Sequence, residues 1–216
     1  MLPDEVLLAI FDFYVVANLY QDLYYDEIPD RGIDDYPFAN IKIQSWQSLV
    51  HVCQHWRSIV FGSQSRLNLQ LCCTTRTPAV ETVDVWPALP LVIQDYVSGT
   101  SVDDLVAHLK LSDRIRQIKL CFRTSESSRN EELWTTMQAP FPELSVLFLK
   151  FDSSYTPVLP DSFLDGSAPR LRSFVLEGIP FPRIPNLLLS ATHLVYLCLL
   201  EPGTFHPRHW PLASPS

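Results

Sequence analysis

The segment Leu144-Ser-Val-Leu-Phe-Leu149 has its leucines spaced as Leu-x-x-Leu-x-Leu, and the same spacing returns at Leu171-x-x-Phe174-x-Leu176 and Leu194-x-x-Leu197-x-Leu199. An isoleucine version stands earlier, at Ile115-x-x-Ile118-x-Leu120. Apolar residues that recur at a period of two predict a β-strand with one buried face. The four segments therefore predict four similar strands, each with its consensus residues directed into a core.

Two earlier apolar runs, Leu67-Asn-Leu-Gln-Leu71 and the run that contains Leu91 and Ile93, extend this series of strands. Equivalent positions at 69, 93, 120, 149, 176 and 199 are separated by 24, 27, 29, 27 and 23 residues. Such spacings are typical of leucine-rich repeats, in which each unit completes the core of its neighbour. Helical connections are predicted between the strands, at 101–111, 131–137, 160–164 and 184–190. The alternative is an irregular α/β domain that contains the same strands.

The N-terminal residues have a helical period instead. Leu7, Phe11 and Tyr14 share one face of a helix predicted over residues 3–16, and the other sides of this helix are also largely apolar. A second helix is predicted from Ser45, a favourable N-cap residue, to Val60. Helices that are apolar around most of their circumference are either deeply buried or shared with a partner.

An acidic segment separates these two helices. Residues 17–43 contain six Asp or Glu residues, two basic residues and four tyrosines. A charge run of this kind is usually a solvated connection, so we interpret the segment as an inserted acidic loop without a role of its own.

Composition narrows the classes of partner. The 216 residues carry a formal net charge of −8, which argues against nucleic acid because neutralising phosphates requires a basic face. No apolar run is long enough to span a bilayer, so no membrane partner is predicted. The five cysteines form no Cys-x-x-Cys pair, which favours reduced thiols inside the cell, in the cytoplasm or the nucleus.

The sequence contains none of the common nucleophile, nucleotide-binding or zinc-protease motifs. His51, Cys53 and His55 lie close together in sequence, but on a continuous helix Cys53 points away from the two histidines. We therefore predict no catalytic residue, no cofactor and no metal site, and a protein that is not an enzyme.

Two motifs at the ends of the N-terminal region carry a family resemblance. Leu2-Pro3-Asp4-Glu5-Val6-Leu7-Leu8-Ala9-Ile10-Phe11 resembles the L-P-x-E-x-L-x-x-I-F opening of the F-box. The segment from Leu49 to Arg57 resembles its closing L-x-x-V-C-x-x-W-R. The continuation from Phe61-Gly-Ser to Trp86-Pro-Ala-Leu-Pro90 resembles that of F-box proteins of mushroom-forming fungi. The chain departs from them in the long acidic join between the two motifs.

The resemblance implies a substrate-recognition adaptor of a Skp–cullin–F-box ubiquitin ligase, whose helical end docks on the Skp-family adaptor and whose repeats bind an unidentified protein substrate. The residues that it assigns to the adaptor contact and its supporting core are Leu2, Pro3, Glu5, Val6, Ile10, Phe11, Leu49, Val52, Cys53, Trp56 and Arg57.

The substrate contact is predicted on side chains that alternate outward from the strands. These candidates are Lys119, Phe148, Lys150, Val175 and Tyr196. The alternative function is a leucine-rich-repeat interaction scaffold whose F-box-like helices only cap the solenoid. In that case the chain itself would cover Leu2, Pro3, Ile10 and Phe11.

Together these patterns predict an α+β fold with two domains. Residues 1–62 would form an N-terminal three-helix F-box-like domain with the acidic insertion at 17–43. Residues 63–216 would form an irregular α/β leucine-rich-repeat-like solenoid, which we expect to be incomplete at its C-terminal end.

Overall fold

The computed structural model describes residues 2–24, 45–74, 85–97, 102–122, 127–151, 159–179 and 185–200. Six strands among these residues hydrogen bond side by side in chain order and form one all-parallel sheet. They are β1 (Leu71–Cys73), β2 (Leu91–Val97), β3 (Ile115–Phe122), β4 (Val146–Phe151), β5 (Ser173–Glu177) and β6 (Tyr196–Leu200).

Helices precede the sheet and connect its later strands. The N-terminal helices are α1 (Asp4–Tyr24), α2 (Ser45–Val50) and α3 (Gln54–Gly62). The connections contain α4 (Asp103–Leu109), α5 (Ser127–Thr136), a 3₁₀ helix (Phe163–Gly166) and α6 (Pro185–Ser190), in that order from β2 to β6. Parallel neighbours require such crossovers, because the chain must return to the starting edge before the next strand begins.

The four strands predicted from the Leu-x-x-Leu-x-Leu spacing are confirmed, and in β3, β4 and β5 the consensus side chains point into the core as predicted, whereas Leu197 on the edge strand β6 is 46% exposed. Leu147 on β4 pairs with Ile118 on β3 and with Phe174 on β5. None of these three side chains is exposed. The next row, through Leu149, is buried in the same way. β3, β4 and β5 therefore contribute alternate residues to a common core, against which Leu199 of β6 packs while partly exposed.

One hydrophobic core runs from Leu7 on α1 to Ala191 after α6. Beside β3 and β4 it is aromatic: the rings of Phe122 and Phe151 stack with centroids 4.2 Å apart, and Trp134 stacks on Phe122 at 5.4 Å. The core thus joins the N-terminal helices to the sheet.

The fold class predicted from the sequence, an α+β arrangement of a three-helix F-box-like domain and a leucine-rich-repeat-like solenoid, is wrong. The described residues form a mixed α/β fold around a single parallel sheet, which agrees with the alternative of an irregular α/β domain. The N-terminal helices pack on each other, and their buried residues join the same core as those of the sheet, through contacts with the segments that lead into β1 and β2. The indole Nε1 of Trp46 donates to the carbonyl of Gln70 at 3.0 Å, and its ring meets Trp86 at 5.2 Å. The domain boundary after residue 62 stays a prediction.

The continuous helix predicted from Ser45 to Val60 is also wrong. It is broken after Val50, and α3 begins only after Cys53, whose backbone is extended (φ −161°, ψ 168°). The break lets α2 and α3 pack against each other, which one straight helix cannot do. It also leaves Cys53 exposed, although its helical spacing predicted a core thiol.

Two further boundaries differ from the sequence expectation. The strand predicted at Leu67–Leu71 begins only at Leu71, because Asn68 has a φ of 46°, a left-handed conformation that asparagine tolerates better than most residues. The first helix continues past Val16 to Tyr24. The start of the predicted acidic insertion is therefore helical, and residues 25–43 lie outside the described residues.

Candidate functional site

Helix α1 has one buried side and one exposed apolar side. Leu7, Phe11 and Val15 point into the core, with exposed fractions of 6% or less. The opposite side carries Val6, Ile10 and Phe13, and Leu2 lies just before the helix; these four apolar side chains are exposed by 43%, 48%, 78% and 53%, respectively. At 3.6 residues per turn the three helical positions fall within a sector of about 60°. We call the four side chains the α1 apolar face.

Polar and aromatic contacts fix α1 against α3. His55 Nε2 lies 3.0 Å from Asp4 Oδ1. The rings of Phe11 and Trp56 meet with centroids 4.7 Å apart. These contacts orient α1, so the direction of its apolar face is determined by the fold.

The residues that the F-box resemblance assigns to the adaptor contact separate into exposed and buried positions. Phe11 and Leu49 are buried in the core and Trp56 is half-buried. Arg57 is exposed, but its Nε donates to the carbonyl of Val50 at 3.1 Å and so also closes the break between α2 and α3. The other exposed members are Leu2, Pro3, Glu5, Val6, Ile10, Val52 and Cys53.

The predicted substrate contacts share the face of the sheet that is turned away from the core, which we call the outer sheet face. Lys119, Phe148 and Val175 occupy one paired row across β3, β4 and β5. Val175 is only 8% exposed, so it is covered by its neighbours and is not available as a contact. Tyr196 at the edge is 56% exposed.

An ion pair stands beside this row. Lys150 and Glu177 are paired positions on β4 and β5, and Lys150 Nζ lies 3.4 Å from Glu177 Oε2. Both side chains are mostly buried, with exposed fractions of 18% and 29%. Because the two charges offset each other, this part of the outer sheet face is close to neutral.

A third surface is not among the residues predicted from the sequence. The turns that lead into β3, β4, β5 and β6 surround a cleft of about 730 Å³. Its lining residues are Arg116, Glu143, Ser145, Arg170, Arg172, Thr192, His193, Leu194 and Val195. We call it the arginine cleft. A sequence signal for it exists, because Arg116 and Arg172 occupy the same position, directly after the first apolar residue of the repeated pattern.

Titratable side chains inside the fold are kept neutral. Burial, with a contribution from the neighbouring Cys72, raises the pKa of Cys73 to about 12, although Arg114 acts in the opposite direction. A thiol with this pKa is protonated at neutral pH and is a poor nucleophile. Among the described residues, no group of three or more His, Cys, Asp or Glu side chains is arranged to hold a metal ion.

Comparison with protein-family models, with curated proteins and with solved structures gives no significant match. Within the described part of the chain, no helix has the length and apolar character needed to cross a membrane. The interpretation of the three surfaces therefore rests on the residues of this chain.

Proposed function

We propose that this protein is a protein-binding adaptor that docks on a Skp-family adaptor of a cullin–RING ubiquitin ligase and recruits a protein substrate. Its activity would be intracellular, in the cytoplasm or the nucleus. The observation that carries the proposal is the α1 apolar face, which lies within the segment Leu2–Phe11 that resembles the opening of the F-box and extends to Phe13.

The α1 apolar face has the properties of a docking surface. Scattered exposed apolar side chains are normal on a protein, but aligned ones mark interaction sites. Fully burying a side chain of this size is worth roughly 1.5–3 kcal/mol, so four of them can supply much of a stable interface. Helices are commonly recognised by side chains at i, i+3, i+4 and i+7 that enter an apolar groove of the partner, and Val6, Ile10 and Phe13 stand at i, i+4 and i+7.

The alternative function is a scaffold whose N-terminal helices only cap the rest of the chain. It requires Leu2, Pro3, Ile10 and Phe11 to be covered by the chain itself. Phe11 is covered, whereas Leu2, Pro3 and Ile10 are exposed. This distribution favours docking over capping.

A pull-down with a purified fungal Skp-family adaptor tests the proposal. We expect the full chain to bind the adaptor and the Phe13→Asp variant to lose most of the binding, because a charge would be desolvated in the interface. Ile10→Asp should act in the same direction. The matched control is Leu189→Asp on α6, since Leu189 and Phe13 are equally exposed, at 79% and 78%.

Circular dichroism of each variant separates lost binding from lost folding. If the folded wild-type chain does not bind the adaptor, the ligase role is wrong. If Phe13→Asp and Leu189→Asp bind equally well, the α1 apolar face is not the docking surface.

A further inference from the structure

The backbone of the arginine cleft places two arginines on either side of a small residue. The carbonyl of Arg116 accepts from the amide of Ser145 at 2.8 Å and from its hydroxyl at 3.0 Å. The carbonyl of Ser145 accepts in turn from the amide of Arg172 at 2.8 Å. The three residues therefore stand side by side on adjacent strands. Neighbouring strands lie about 4.7–4.9 Å apart, so the backbones of Arg116 and Arg172, two strands apart, are separated by roughly 9–10 Å.

A β-bulge directs Arg116 out of the regular alternation. Leu91 pairs with Ile115, but the next residue, Val92, pairs with Gln117, so Arg116 is an extra residue in β3. Bulges re-aim a side chain and are frequent next to functional sites. Here the bulge lies at an arginine that lines the cleft together with Ser145 and Arg172.

The guanidinium groups of Arg116 and Arg172 are available for a ligand, whereas those of the neighbouring Arg114 and Arg170 are engaged within the protein. Arg114 donates to the carbonyl of Leu89 at 2.9 Å, and Arg170 forms an ion pair with Glu143. Within the described residues, no ion pair or side-chain hydrogen bond engages Arg116 or Arg172.

The charge of the cleft is opposite to that of the whole protein. Three arginines and one glutamate line it, which is a net charge of +2 with His193 neutral, in a chain of net charge −8. Like charges gathered in one concave surface raise the local concentration of an oppositely charged ligand. The cleft therefore favours an anion.

The number and placement of the guanidinium donors in the arginine cleft determine which kind of anion fits best. A carboxylate has two oxygens, which a single bidentate guanidinium satisfies. A phosphomonoester has three terminal oxygens and a charge of about −1.5 to −2 at neutral pH. It can accept from two guanidinium groups that approach from opposite sides. Nucleic acid fits less well, because successive phosphates need a longer basic track than these three arginines provide.

We propose that the arginine cleft is a binding site for a phosphomonoester, held between Arg116 and Arg172 with Ser145 as the floor. The phosphoryl group comes either from a phosphorylated protein side chain or from a small phosphorylated molecule. The site shares no residue with the α1 apolar face and does not depend on the adaptor role.

Fluorescence anisotropy with a labelled phosphoserine peptide of otherwise neutral sequence tests the site on the full chain. We expect the phosphopeptide to bind and its unphosphorylated form not to bind. Losing one charge-assisted contact should weaken binding about tenfold or more in Arg116→Gln and in Arg172→Gln. Both residues are exposed, so neither change should alter the melting temperature. Lys110→Gln, an exposed position outside the cleft, is the control of equal charge and should bind as the wild type does.

Competition distinguishes the two sources of the phosphoryl group. Free O-phosphoserine that competes as well as the unlabelled phosphopeptide indicates a small ligand, whereas weaker competition indicates a phosphoprotein. The site is refuted if the phosphopeptide does not bind at millimolar concentration, or if both arginine variants behave like Lys110→Gln. Displacement by a single-stranded oligonucleotide at lower concentration than the peptide would assign the cleft to nucleic acid instead. Adaptor binding, measured separately, is expected to be unchanged in both arginine variants.

Discussion

His108 lies on α4 with none of its side chain exposed, and neither ring nitrogen makes a hydrogen bond of good geometry. Burial lowers the pKa of His108 from its ordinary value of 6.5, while the carboxylate of Asp104 and a contact with the Asp104 backbone act in the opposite direction. The imidazole is therefore neutral in the folded protein at neutral pH. A buried polar group without a good hydrogen bond costs roughly 1–3 kcal/mol, so this histidine destabilises the fold even when it is uncharged.

The lowered pKa makes stability depend on pH in a defined window. Between the folded-state pKa and 6.5 the unfolded chain binds more protons than the folded one, so the free energy of unfolding falls as the pH falls below 6.5. Above 6.5 this contribution is constant. We expect His108→Leu to raise the free energy of unfolding at pH 7 and to flatten its decline below pH 6.5, as measured by urea denaturation. His193→Leu, at an exposed position, is the control. An unchanged slope in His108→Leu would show that other groups cause the acid sensitivity.

At the scale of the elements, Gly178 holds the carboxyl ends of three strands together. It follows β5 with a φ of 72°, and its amide donates to the carbonyl of Leu200 on β6 at 2.9 Å. A Cβ at this position would lie 2.2 Å from the carbonyl oxygen of Phe151 on β4. Only glycine allows both the left-handed backbone and this close approach.

We expect Gly178→Ala to lower the free energy of unfolding by about 1–3 kcal/mol from the backbone conformation alone, with the contact to Phe151 adding to the loss. Thermal and urea denaturation measure it. Gly62→Ala is the matched control, because Gly62 ends α3 with no atom within 4 Å of an added Cβ. Alanine there should be neutral or slightly stabilising. Equal effects of the two substitutions would show that neither the left-handed backbone nor the close approach to Phe151 requires glycine at position 178.

The elements also show what could be predicted from the sequence. β3 to β6 were predictable because each repeats one apolar spacing, and period two is a local property. The break between α2 and α3 could not be predicted from the sequence, because Trp46, Cys53 and Val60 fit a single helical stripe. The break depends on the packing of Trp46 against Gln70 and Trp86, which are distant in sequence. Local periodicity cannot report such contacts.

At the scale of the whole molecule, candidate contacts were predictable where a local motif marks them and not where the fold brings distant residues together. Leu2, Val6 and Ile10 were predicted as partner contacts by their match to a motif, and their exposure agrees with that role. The arginine cleft was not foreseen, because Arg116 and Arg172 are 56 positions apart in the sequence. They become neighbours only when consecutive strands align in register.

The continuity of the core leads to a prediction about cooperativity. Leu49 on α2 is 7% exposed and belongs to the same core as Leu149 on β4. If this core unfolds as one unit, Leu49→Ala should lower the opening free energy of amides in α3 and in β4 by the same amount, about 2–5 kcal/mol. Native-state hydrogen exchange measures both regions in one experiment. The exposed Leu189→Ala should change neither by more than about 0.5 kcal/mol.

The two possible domain organisations give opposite outcomes in that experiment. Equal losses in α3 and β4 would show that the N-terminal helices and the sheet fold together, because an unfolding event that removes one removes the other. A loss confined to α3 would mean that the helices open independently, as the boundary predicted after residue 62 requires. We expect equal losses, because Trp46 on α2 donates a hydrogen bond to the backbone just before β1 and packs its ring against Trp86 just before β2. The buried residues of the helices and of the sheet also belong to one continuous core.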